Sequence, residues 1–558
     1  MIYPERFEQK IGFTHIREAI KGHCISAMGL ERAETMDFTS NREAIERNLD
    51  QTVEFMQLLQ NGVPFPVRDY HDLREAFQHI KIPGTSISLE ELFALKPSLN
   101  ALSYILKFGQ SDARVDYPEL CALTEGIEVD PIVFSEANRL VDDKGEMPDN
   151  ASPELAEIRR DIHRKSGGIE RRIRQIMSDA KTSGWVDPKA EITIRDGRMV
   201  IPVRAGDKRA LKGFIHDESA TGQTVYIEPS EIVETSNEIK ELEYAERREV
   251  NRILMQFTDR IRPSLPELLK AWNLLGQLDF IRAKAILSQD IGGVKPIIHE
   301  TPYFRWIQAR HPILEQKLKS QGKHIVPLDL NLDQESRILV ISGPNAGGKS
   351  VCLKTTGLIQ YMLQCGLCVP MHVDSECGLF KSLFIDIGDE QSILDDLSTY
   401  SSHLRNMKVL LEHADEHSLF LIDEFGTGTE PQLGGAIAEA ILLELNRKKV
   451  FGIVTTHYAN LKLLADHHEG IVNGAMLFDT KFMQPMYIMV TGKPGSSFAF
   501  EIARKIGFPQ NILDDATHIT GEQHLKFEQQ LQQLEVDKKP SRKRNASCRW
   551  PTPCSARW

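Results

Sequence analysis

The segment at residues 343–350 constrains the fold of this chain more than any other feature. It follows an apolar run at residues 338–341 and precedes a predicted helix at residues 351–364. Its spacing fits the phosphate-binding pattern G-x-x-x-x-G-K-[ST], which needs a strand before it and a helix after it. The sequence therefore predicts an α/β P-loop domain. The loop residues, in order, are Gly343, Pro344, Asn345, Ala346, Gly347, Gly348, Lys349 and Ser350.

Each part of this loop has a predicted role in binding a nucleoside triphosphate. The glycines let backbone N–H groups turn toward the phosphates, and the N-terminus of the following helix attracts the same anion. Lys349 is predicted to reach the β- and γ-phosphates, and the Ser350 hydroxyl to ligate Mg²⁺. We therefore expect ATP and Mg²⁺ as cofactors.

Two later apolar runs are predicted to be neighbouring strands that complete the site. The run at residues 418–422 ends in Asp423 and Glu424, which would hold Mg²⁺ through water and polarise the attacking water, respectively. The run at residues 450–454 is followed by Thr455, Thr456 and His457. We favour His457 as a γ-phosphate sensor, and the alternative is a structural histidine.

Three motifs together resemble the ATPase domain of the MutS family, whose fold belongs to the ABC-type ATPases. They are the phosphate-binding loop, residues 423–429 (DEFGTGT) and residues 455–458 (TTHY). Stretches at residues 387–393, 397–403, 431–432 and 492–501 are similar to the anti-recombination branch of bacterial MutS paralogues, and not to the mismatch-repair enzyme. The resemblance is dense from about residue 311 to residue 509 and looser upstream.

The resemblance implies an order of regions along the chain. A helical core is expected at residues 1–125, and lever helices with a clamp at residues 126–300, with the β tip of the clamp at about residues 190–228. The ABC-type ATPase domain is expected at residues 301–520. The start of a coiled coil and a disordered tail would follow at residues 521–558.

The resemblance also implies a homodimer with composite nucleotide sites. Each nucleotide would lie between the loop of one subunit and a Ser-Thr signature of the other, formed here by Ser398 and Thr399. Gln391 would lie between the nucleotide and the rest of the protein, and residues 426–429 along the dimer interface. From the residues alone, Ser398 and Thr399 also fit a helix cap. Both roles are compatible, because a signature helix needs its N-terminus directed at phosphate.

Upstream of the ATPase, apolar spacing predicts two long helices. The first is interrupted by Gly167 and Gly168, the second spans about residues 231–262, and strand-like runs lie between them. The MutS family uses such a lever and clamp to close around a duplex. The arginines on the first helix could contact phosphate, or they could pair with the glutamates on the second helix. We favour the pairing. Nucleic-acid contact is predicted at the tip, through Arg204, Lys208, Arg209 and Lys212.

The charge and hydropathy of the chain exclude two classes of protein. The net charge is −12, which argues against a protein that coats nucleic acid through its overall charge. Any contact with nucleic acid must come from a local basic patch. The absence of a long uncharged apolar run argues against a membrane helix or signal peptide and favours a cytoplasmic location. Cys365 and Cys368 form a C-x-x-C near Cys377, but the second ligand pair that zinc would want is missing. These cysteines are predicted to be reduced, apolar packing residues.

Both ends of the chain depart from longer members of the family. The triplet Phe134-Ser-Glu136 matches the wedge with which the N-terminal domain of the mismatch-repair enzyme reads a mismatch. The chain before the phosphate-binding loop is too short for that domain and the connector domain that follows it. We therefore interpret the triplet as a coincidence and do not expect mismatch recognition. The basic, Pro/Ser-rich end from residue 538 fits disorder or a shifted reading frame. The Smr nuclease domain usual in this branch is expected to be absent.

The P-loop motifs predict an ATPase, and the resemblance implies that it works as a homodimeric, nucleotide-gated clamp on branched or duplex DNA and suppresses homologous recombination. One alternative that the resemblance also implies is a ribosome-associated ATPase acting on stalled or collided ribosomes, and a basic tip suits rRNA as well as DNA. Others are a mismatch-binding repair sensor and a scaffold that binds nucleotide without hydrolysing it. The sequence leaves the choice between DNA and ribosome open.

Overall fold

The computed structural model describes residues 1–66, 68, 70–344, 347–388, 399–479, 482, 484–496 and 498–520. The helices in this part of the chain are α1 (Phe7–Ile11), α2 (Phe13–His23), α3 (Ala27–Glu34), α4 (Arg42–Gln60), α5 (Arg74–Ile80), α6 (Leu89–Gly109), α7 (Ala113–Asp116), α8 (Pro118–Ala122), α9 (Pro131–Leu140), α10 (Pro153–Thr182), α11 (Ser230–Ile261), α12 (Leu265–Ile291), α13 (Pro312–Ser320), α14 (Lys349–Gln364), α15 (Thr399–His413), α16 (Pro431–Arg447), α17 (Ala459–His467), α18 (Ala499–Ile506) and α19 (Gln510–Thr520). The strands are β1 (Ile2–Tyr3), β2 (Thr193–Arg195), β3 (Arg198–Arg204), β4 (Gly213–Glu218), β5 (Thr224–Pro229), β6 (Ile297–His299), β7 (Phe304–Ala309), β8 (Leu328–Leu332), β9 (Ser336–Ser342), β10 (Glu376–Gly378), β11 (Ser382–Asp386), β12 (Ser418–Ile422), β13 (Phe451–Thr455), β14 (Gly470–Asp479) and β15 (Gln484–Thr491). None of the described helices is long and apolar enough to cross a membrane.

A seven-stranded sheet with the order β1-β11-β12-β13-β9-β14-β15 forms the centre of the ATPase region. Neighbouring strands are parallel, except that β15 runs antiparallel to β14. Alternate residues of β9 enter different cores. Leu339 and Ile341 share one with α14, whereas Ile338 and Val340 share another with α16 and α17. These helix-covered faces confirm the predicted α/β P-loop domain, in which the carboxyl ends of β9, β12 and β13 meet at one edge.

The first residues of the chain pack on this sheet. Strand β1 pairs in parallel with β11, so that Ile2 lies opposite Leu383. Aromatic side chains of the same segment surround Tyr361 of α14, with ring centroids 4.7 Å away for Phe13 and 5.3 Å for Phe7. Residues within the range predicted as a helical core therefore also belong to the hydrophobic core of the ATPase sheet.

A second core lies among the helices that precede the ATPase region. It joins α4, α6, α9, the end of α11 and most of α12, and the fully buried Trp272 packs edge-on against Phe77 within it. Helix α12 continues from this core to the ATPase sheet, where its residues Ala283 and Leu287 enter the other core. This helix is therefore a direct mechanical connection between the two regions.

A buried lysine lies on α12 at this connection. Lys284 is 1% exposed, and its Nζ lies 3.5 Å from the carbonyl oxygen of Gly366, just beyond the C-terminal end of α14. The ammonium also lies 5.0 Å from the centroid of the Phe280 ring. Burial lowers the pKa of Lys284 to about 8. A positive charge beside the last carbonyls of a helix is favourable, but its loss of hydration is not.

The two lever helices, α10 and α11, lie antiparallel and are held together by ion pairs. Arg159 pairs with Glu246 at 2.7 Å and Lys165 with Glu238 at 2.5 Å. A third cross-helix pair joins Arg172 and Glu231. These contacts confirm the predicted neutralisation for three of the basic residues. Arg171 and Arg174 instead contact their own helix, at Gly167 and Glu170.

The predicted interruption of the first lever helix is wrong. Helix α10 runs unbroken through Gly167 and Gly168, and neither glycine has a positive φ. A glycine inside a helix costs about 1 kcal/mol relative to alanine, which packing and ion pairs along α11 can offset. A Cβ added at either glycine would meet nothing within 4 Å, so close packing does not require them.

The region predicted to be the clamp contains a four-stranded antiparallel sheet with the order β2-β3-β5-β4, between the two predicted lever helices along the chain. Its core residues, among them Ile201 and Ile227, pack against Ile173 of α10 and Ile232 of α11. Strand β4 was not predicted from the sequence. It is an edge strand in which Phe214 and Ile215 are both exposed, so its residues do not alternate between buried and exposed.

Candidate functional site

The phosphate-binding loop connects β9 to α14 and depends on glycine backbone geometry. Gly343 has a φ of +136° and Gly348 a φ of +93°, which side chains rarely tolerate. A Cβ on Gly343 would lie 3.2 Å from the backbone oxygen of Met476 on β14. Asn345 and Ala346 were also predicted to belong to the loop, and they lie outside the described residues. The described part has the close backbone approach that a phosphate cradle requires.

Lys349 begins α14, and the structure brings it together with His457. The side chain is 4% exposed, and its Nζ donates to the carbonyl oxygen of Gly343 at 2.7 Å and to His457 Nε2 at 3.3 Å. Burial lowers the pKa of Lys349 to about 8, against the opposite effect of Asp423 and Glu424. Ser350, the next residue of α14, is exposed. Lys349 therefore lies where a phosphate in the loop would meet its ammonium.

His457 is neutral at physiological pH. Although the residue remains exposed, desolvation by the surrounding protein and the ammonium groups of Lys349 and Lys462 lower the pKa of its imidazole to about 4. Lys462 lies on α17, is 4% exposed, and donates to the carbonyl oxygen of Gly495 at 3.0 Å. The sequence analysis did not find this second lysine, because it lies within a short helix and outside any motif.

The carboxylates that follow β12 are fixed by a hydroxyl from β13. Thr455 Oγ1 donates to Asp423 Oδ1 at 2.6 Å and accepts the backbone N–H of Glu424 at 2.8 Å. Glu424 has a φ of +49°, a left-handed conformation that is uncommon outside glycine. Its side chain is exposed, while Asp423 is half-buried. Strained backbone held by several contacts is common at functional sites. Thr455 was recognised as part of a motif, but its bridging role was not predicted.

The turn after Glu424 packs tightly against the neighbouring strand end. Gly426 and Gly428 both have φ near +90°. The hydroxyl of Tyr458 donates to the carbonyl oxygen of Gly426 at 3.1 Å, and a Cβ on Gly426 would lie 2.8 Å from the Tyr458 ring. Because Asp423 and Glu424 are predicted to be catalytic, we call residues 423–428 the catalytic turn. Gly426 is needed because the Tyr458 ring leaves no room for a side chain, and Gly428 because its φ is one that side chains rarely tolerate.

The predicted signature lies at the start of α15. Ser398 and Gln391 lie outside the described residues, and Thr399 is the first residue of the helix. Further along α15, Tyr400 and His403 line a small cavity together with Asp423 and Glu424. The helix that begins at the signature thus contacts the catalytic turn of its own chain. The contact of the signature with a neighbouring subunit remains a prediction.

A cavity of about 470 Å³ opens beside the loop and was not predicted from the sequence. It is lined by apolar side chains that include Ile325, Val351 and Met489, together with Tyr487 and His311. Burial lowers the pKa of His311 to about 4, so this ring is neutral. Small-molecule sites are mostly apolar clefts of this size with a few polar groups. The lining residues come from distant parts of the chain, so local patterns gave no signal for this cavity.

The predicted nucleic-acid residues are on the clamp, whose core contains no residue of the ATPase sheet. All four are exposed, and among the described residues no carboxylate lies within 4 Å of their charged groups. They occupy the end of β3 and the connection to β4. We call them the clamp cations: Arg204, Lys208, Arg209 and Lys212.

Two other predicted features are structural. Cys365, Cys368 and Cys377 are buried in the core that the ATPase sheet shares with the first helices, as expected for apolar packing residues. Phe134 and Glu136 lie on α9, and Glu136 pairs with Arg139 and Arg260. The triplet therefore lies on a helix that packs against the second hydrophobic core, and its interpretation as a coincidence stays a prediction.

Comparison with known proteins places this geometry in a family. Residues 339–524 match the family model described as MutS domain V. Relatives called "Endonuclease MutS2" include those from Geobacillus sp. (strain WCH70), Thermomicrobium roseum (strain ATCC 27502 / DSM 5159 / P-2) and Enterococcus faecalis (strain ATCC 700802 / V583). They are 35%, 37% and 34% identical over 94%, 91% and 96% of this chain. The matches cover 66%, 65% and 67% of those relatives, so the chain spans about two thirds of their length.

Proposed function

The chain belongs to the MutS family, in its MutS2 branch, and on that premise we propose that it hydrolyses ATP to control a clamp on DNA. The observation that best supports hydrolysis is the pair of hydrogen bonds made by the Thr455 hydroxyl. They hold Asp423 and the backbone of Glu424 at the edge of the sheet where the phosphate loop also lies. Lys349 offers positive charge to the phosphates. The exposed carboxylate of Glu424 is free to orient and polarise the attacking water.

The oxygen ligands at this edge suit Mg²⁺, which prefers hard oxygen donors. Ser350 offers an exposed hydroxyl at the start of α14, and Asp423 offers a half-buried carboxylate already positioned by Thr455. When bound, Mg²⁺ would neutralise charge on the phosphate oxygens. His457 can form a hydrogen bond at the γ-phosphate without adding charge, because its pKa is about 4.

The cavity beside Gly348 is proposed to hold the adenine base. Its volume of about 470 Å³ and its apolar lining suit a planar heterocycle. A Cβ on Gly348 would lie 3.2 Å from the ring of Tyr487, which lines the same cavity. The phosphate loop and the cavity are therefore continuous, as a nucleotide spanning both would require.

Two substitutions separate nucleotide binding from hydrolysis. Lys349→Ala should abolish ATP binding, because it removes the cation of the phosphate cradle. Glu424→Gln should keep binding but lower turnover by about 100-fold or more, since a neutral side chain no longer polarises water. Steady-state ATPase assays and equilibrium binding of a fluorescent ATP analogue measure both effects. Glu416→Gln, an exposed acid just before the other end of β12, is the matched control. Wild-type turnover in Glu424→Gln would disprove its role.

The lever and clamp support DNA as the proposed partner. The clamp cations are exposed at the tip of two long paired helices, and phosphate contacts need such exposed cations. We further propose a homodimer whose two clamps enclose branched or duplex DNA, with suppression of homologous recombination as the outcome. The clamp cations would suit rRNA equally well, so a ribosome-associated ATPase is the second candidate.

Binding assays on two polyanions distinguish these candidates. Four-way DNA junctions and purified ribosomes should be compared at matched salt concentrations, with ATP and without nucleotide. Tighter binding to junctions than to ribosomes, controlled by nucleotide, is the result expected for a DNA clamp. Preferential and nucleotide-dependent sedimentation with ribosomes would instead support the second candidate.

A further inference from the structure

A buried carboxylate at the end of β11 anchors the helix that begins at the predicted signature. Asp386 is 3% exposed and accepts hydrogen bonds from two side chains of α15. His403 Nδ1 donates to its Oδ2 at 2.6 Å, and Asn406 Nδ2 donates to its Oδ1 at 2.9 Å. The direction of the first bond follows because an ionised carboxylate can only accept. Each carboxylate oxygen thus holds one residue of α15, and the two residues are one turn apart.

The backbone of the same aspartate contacts the catalytic turn. The carbonyl oxygen of Asp386 accepts the N–H of Asp423 at 2.9 Å, and β11 pairs with β12 up to this point. His403 also lines the small cavity with Glu424. Asp386 therefore connects α15, through its side chain, with the residues that carry the catalytic carboxylates, through its backbone.

The first strand of the chain supports the same cluster. The hydroxyl of Tyr3 donates to Asn406 Oδ1 at 2.8 Å, and Asn406 is 6% exposed. Strand β1 pairs with β11, which ends in Asp386. A continuous series of hydrogen bonds thus runs from β1 through α15 to the end of β11 and the catalytic turn. Partly buried hydrogen-bond networks of this kind help to fix one geometry of the elements they join.

We infer that His403 and Asp386 are positioning residues for hydrolysis. Their hydrogen bond holds α15 against the catalytic turn, so that Glu424 stays correctly oriented. This inference rests on the proposed ATPase function and deepens it. Because α15 begins at the predicted signature, contact of that signature with a neighbour's nucleotide would also reach Glu424 through Asp386. The pair would then link the two composite sites of a dimer.

The test compares variants of His403 in the full-length chain. His403→Leu removes the donor and should lower kcat by about 10- to 100-fold, the size expected when a catalytic group is misplaced by about 1 Å. KM for ATP should change less than about threefold, because the phosphate loop and the base cavity are untouched. His403→Asn keeps a donor near the position of Nδ1 and should restore most of kcat. His413→Leu, at the exposed end of α15, is the matched control.

A second variant covers the case in which His403→Leu does not fold. Asp386→Asn is nearly isosteric, keeps the backbone bond to Asp423, leaves one acceptor oxygen for two donors of α15, and should also lower kcat. Adding His403→Leu to Asp386→Asn should cost less than the sum of the two single effects, because both changes weaken the same contact between Asp386 and α15. Wild-type kcat in either folded single variant would overturn the inference. If Glu424→Gln is inactive while these variants are fully active, the inference fails and the proposed ATPase function stands.

Discussion

Replacing the buried Lys284 with methionine should stabilise the protein. Lys284 lies on α12 at the junction of the helical core and the ATPase sheet, and no carboxylate of the described residues lies within 4 Å of its Nζ. The charged form loses hydration without a full partner, which lowers the pKa from 10.5 to about 8. Methionine is of similar length and fills the same apolar space without a charge.

The magnitude follows from the pKa of the folded and unfolded states. Each pH unit between 8 and 10.5 corresponds to about 1.4 kcal/mol, so the ammonium destabilises the fold by about 3 kcal/mol at pH 7. Leaving the carbonyl oxygen of Gly366 without its donor costs about 1 kcal/mol. Lys284→Met should therefore raise the free energy of unfolding by about 2 kcal/mol at pH 7. Because the folded pKa is lowered, the destabilisation is complete below pH 8 and disappears as pH rises toward 10.5.

Urea unfolding followed by circular dichroism at 222 nm tests this prediction at several pH values. The gain from Lys284→Met should fall by about 1 kcal/mol between pH 7 and pH 9, as the wild-type lysine loses its proton in the folded state. Lys270→Met changes an exposed lysine of the same helix and should alter stability little at either pH. A less stable Lys284→Met variant at pH 7, or a gain that grows with pH, would refute the reasoning.

Three further predictions concern the nucleotide site and the clamp. Thr455→Val should lower kcat by about 10- to 100-fold in steady-state assays while ATP binding stays within about threefold, because the bridge between Asp423 and Glu424 is lost. ATP affinity should fall as pH rises above about 8, because Lys349 then loses its proton in the free protein. Calorimetry near about pH 8.5 should therefore record that the protein takes up protons when ATP binds. Neutralising the clamp cations should weaken binding to DNA or ribosomes, and each lost phosphate contact should reduce the slope of log affinity against log salt concentration by about one. Neutralising Lys165 and Arg172, which pair with α11, should instead lower the stability of the fold.

Local patterns in the sequence were sufficient for most of the ATPase sheet. A five-residue apolar run bounded by polar residues predicted β12 with the bounds found in the structure, and β9, β13 and α14 were predicted to within a few residues. These elements are buried on both faces, so their hydrophobicity is strong and continuous. The loop that follows β9 was recognisable because its glycines are required by backbone geometry.

Elements that depend on distant contacts were not predictable in this way. Strand β1 has two residues and exists because β11 lies beside it, and β4 is an exposed edge. The bridge from Thr455 and the anchor at Asp386 join residues that are ordinary within their own segments. The apparent break at Gly167 and Gly168 was misleading because helix propensity is a weak signal beside pairing with α11.

The pairing of β1 with β11 has a consequence for how the chain reaches its native state. These strands are separated by about 380 residues, so β1 can pair only after the chain has been synthesised as far as residue 386. Without the N-terminal residues, β11 would have an open edge and the face of α14 around Tyr361 would be uncovered. A fragment that starts at residue 301 would keep both surfaces exposed permanently. We expect such a fragment to aggregate, and to be rescued by supplying residues 1–60 as a separate polypeptide.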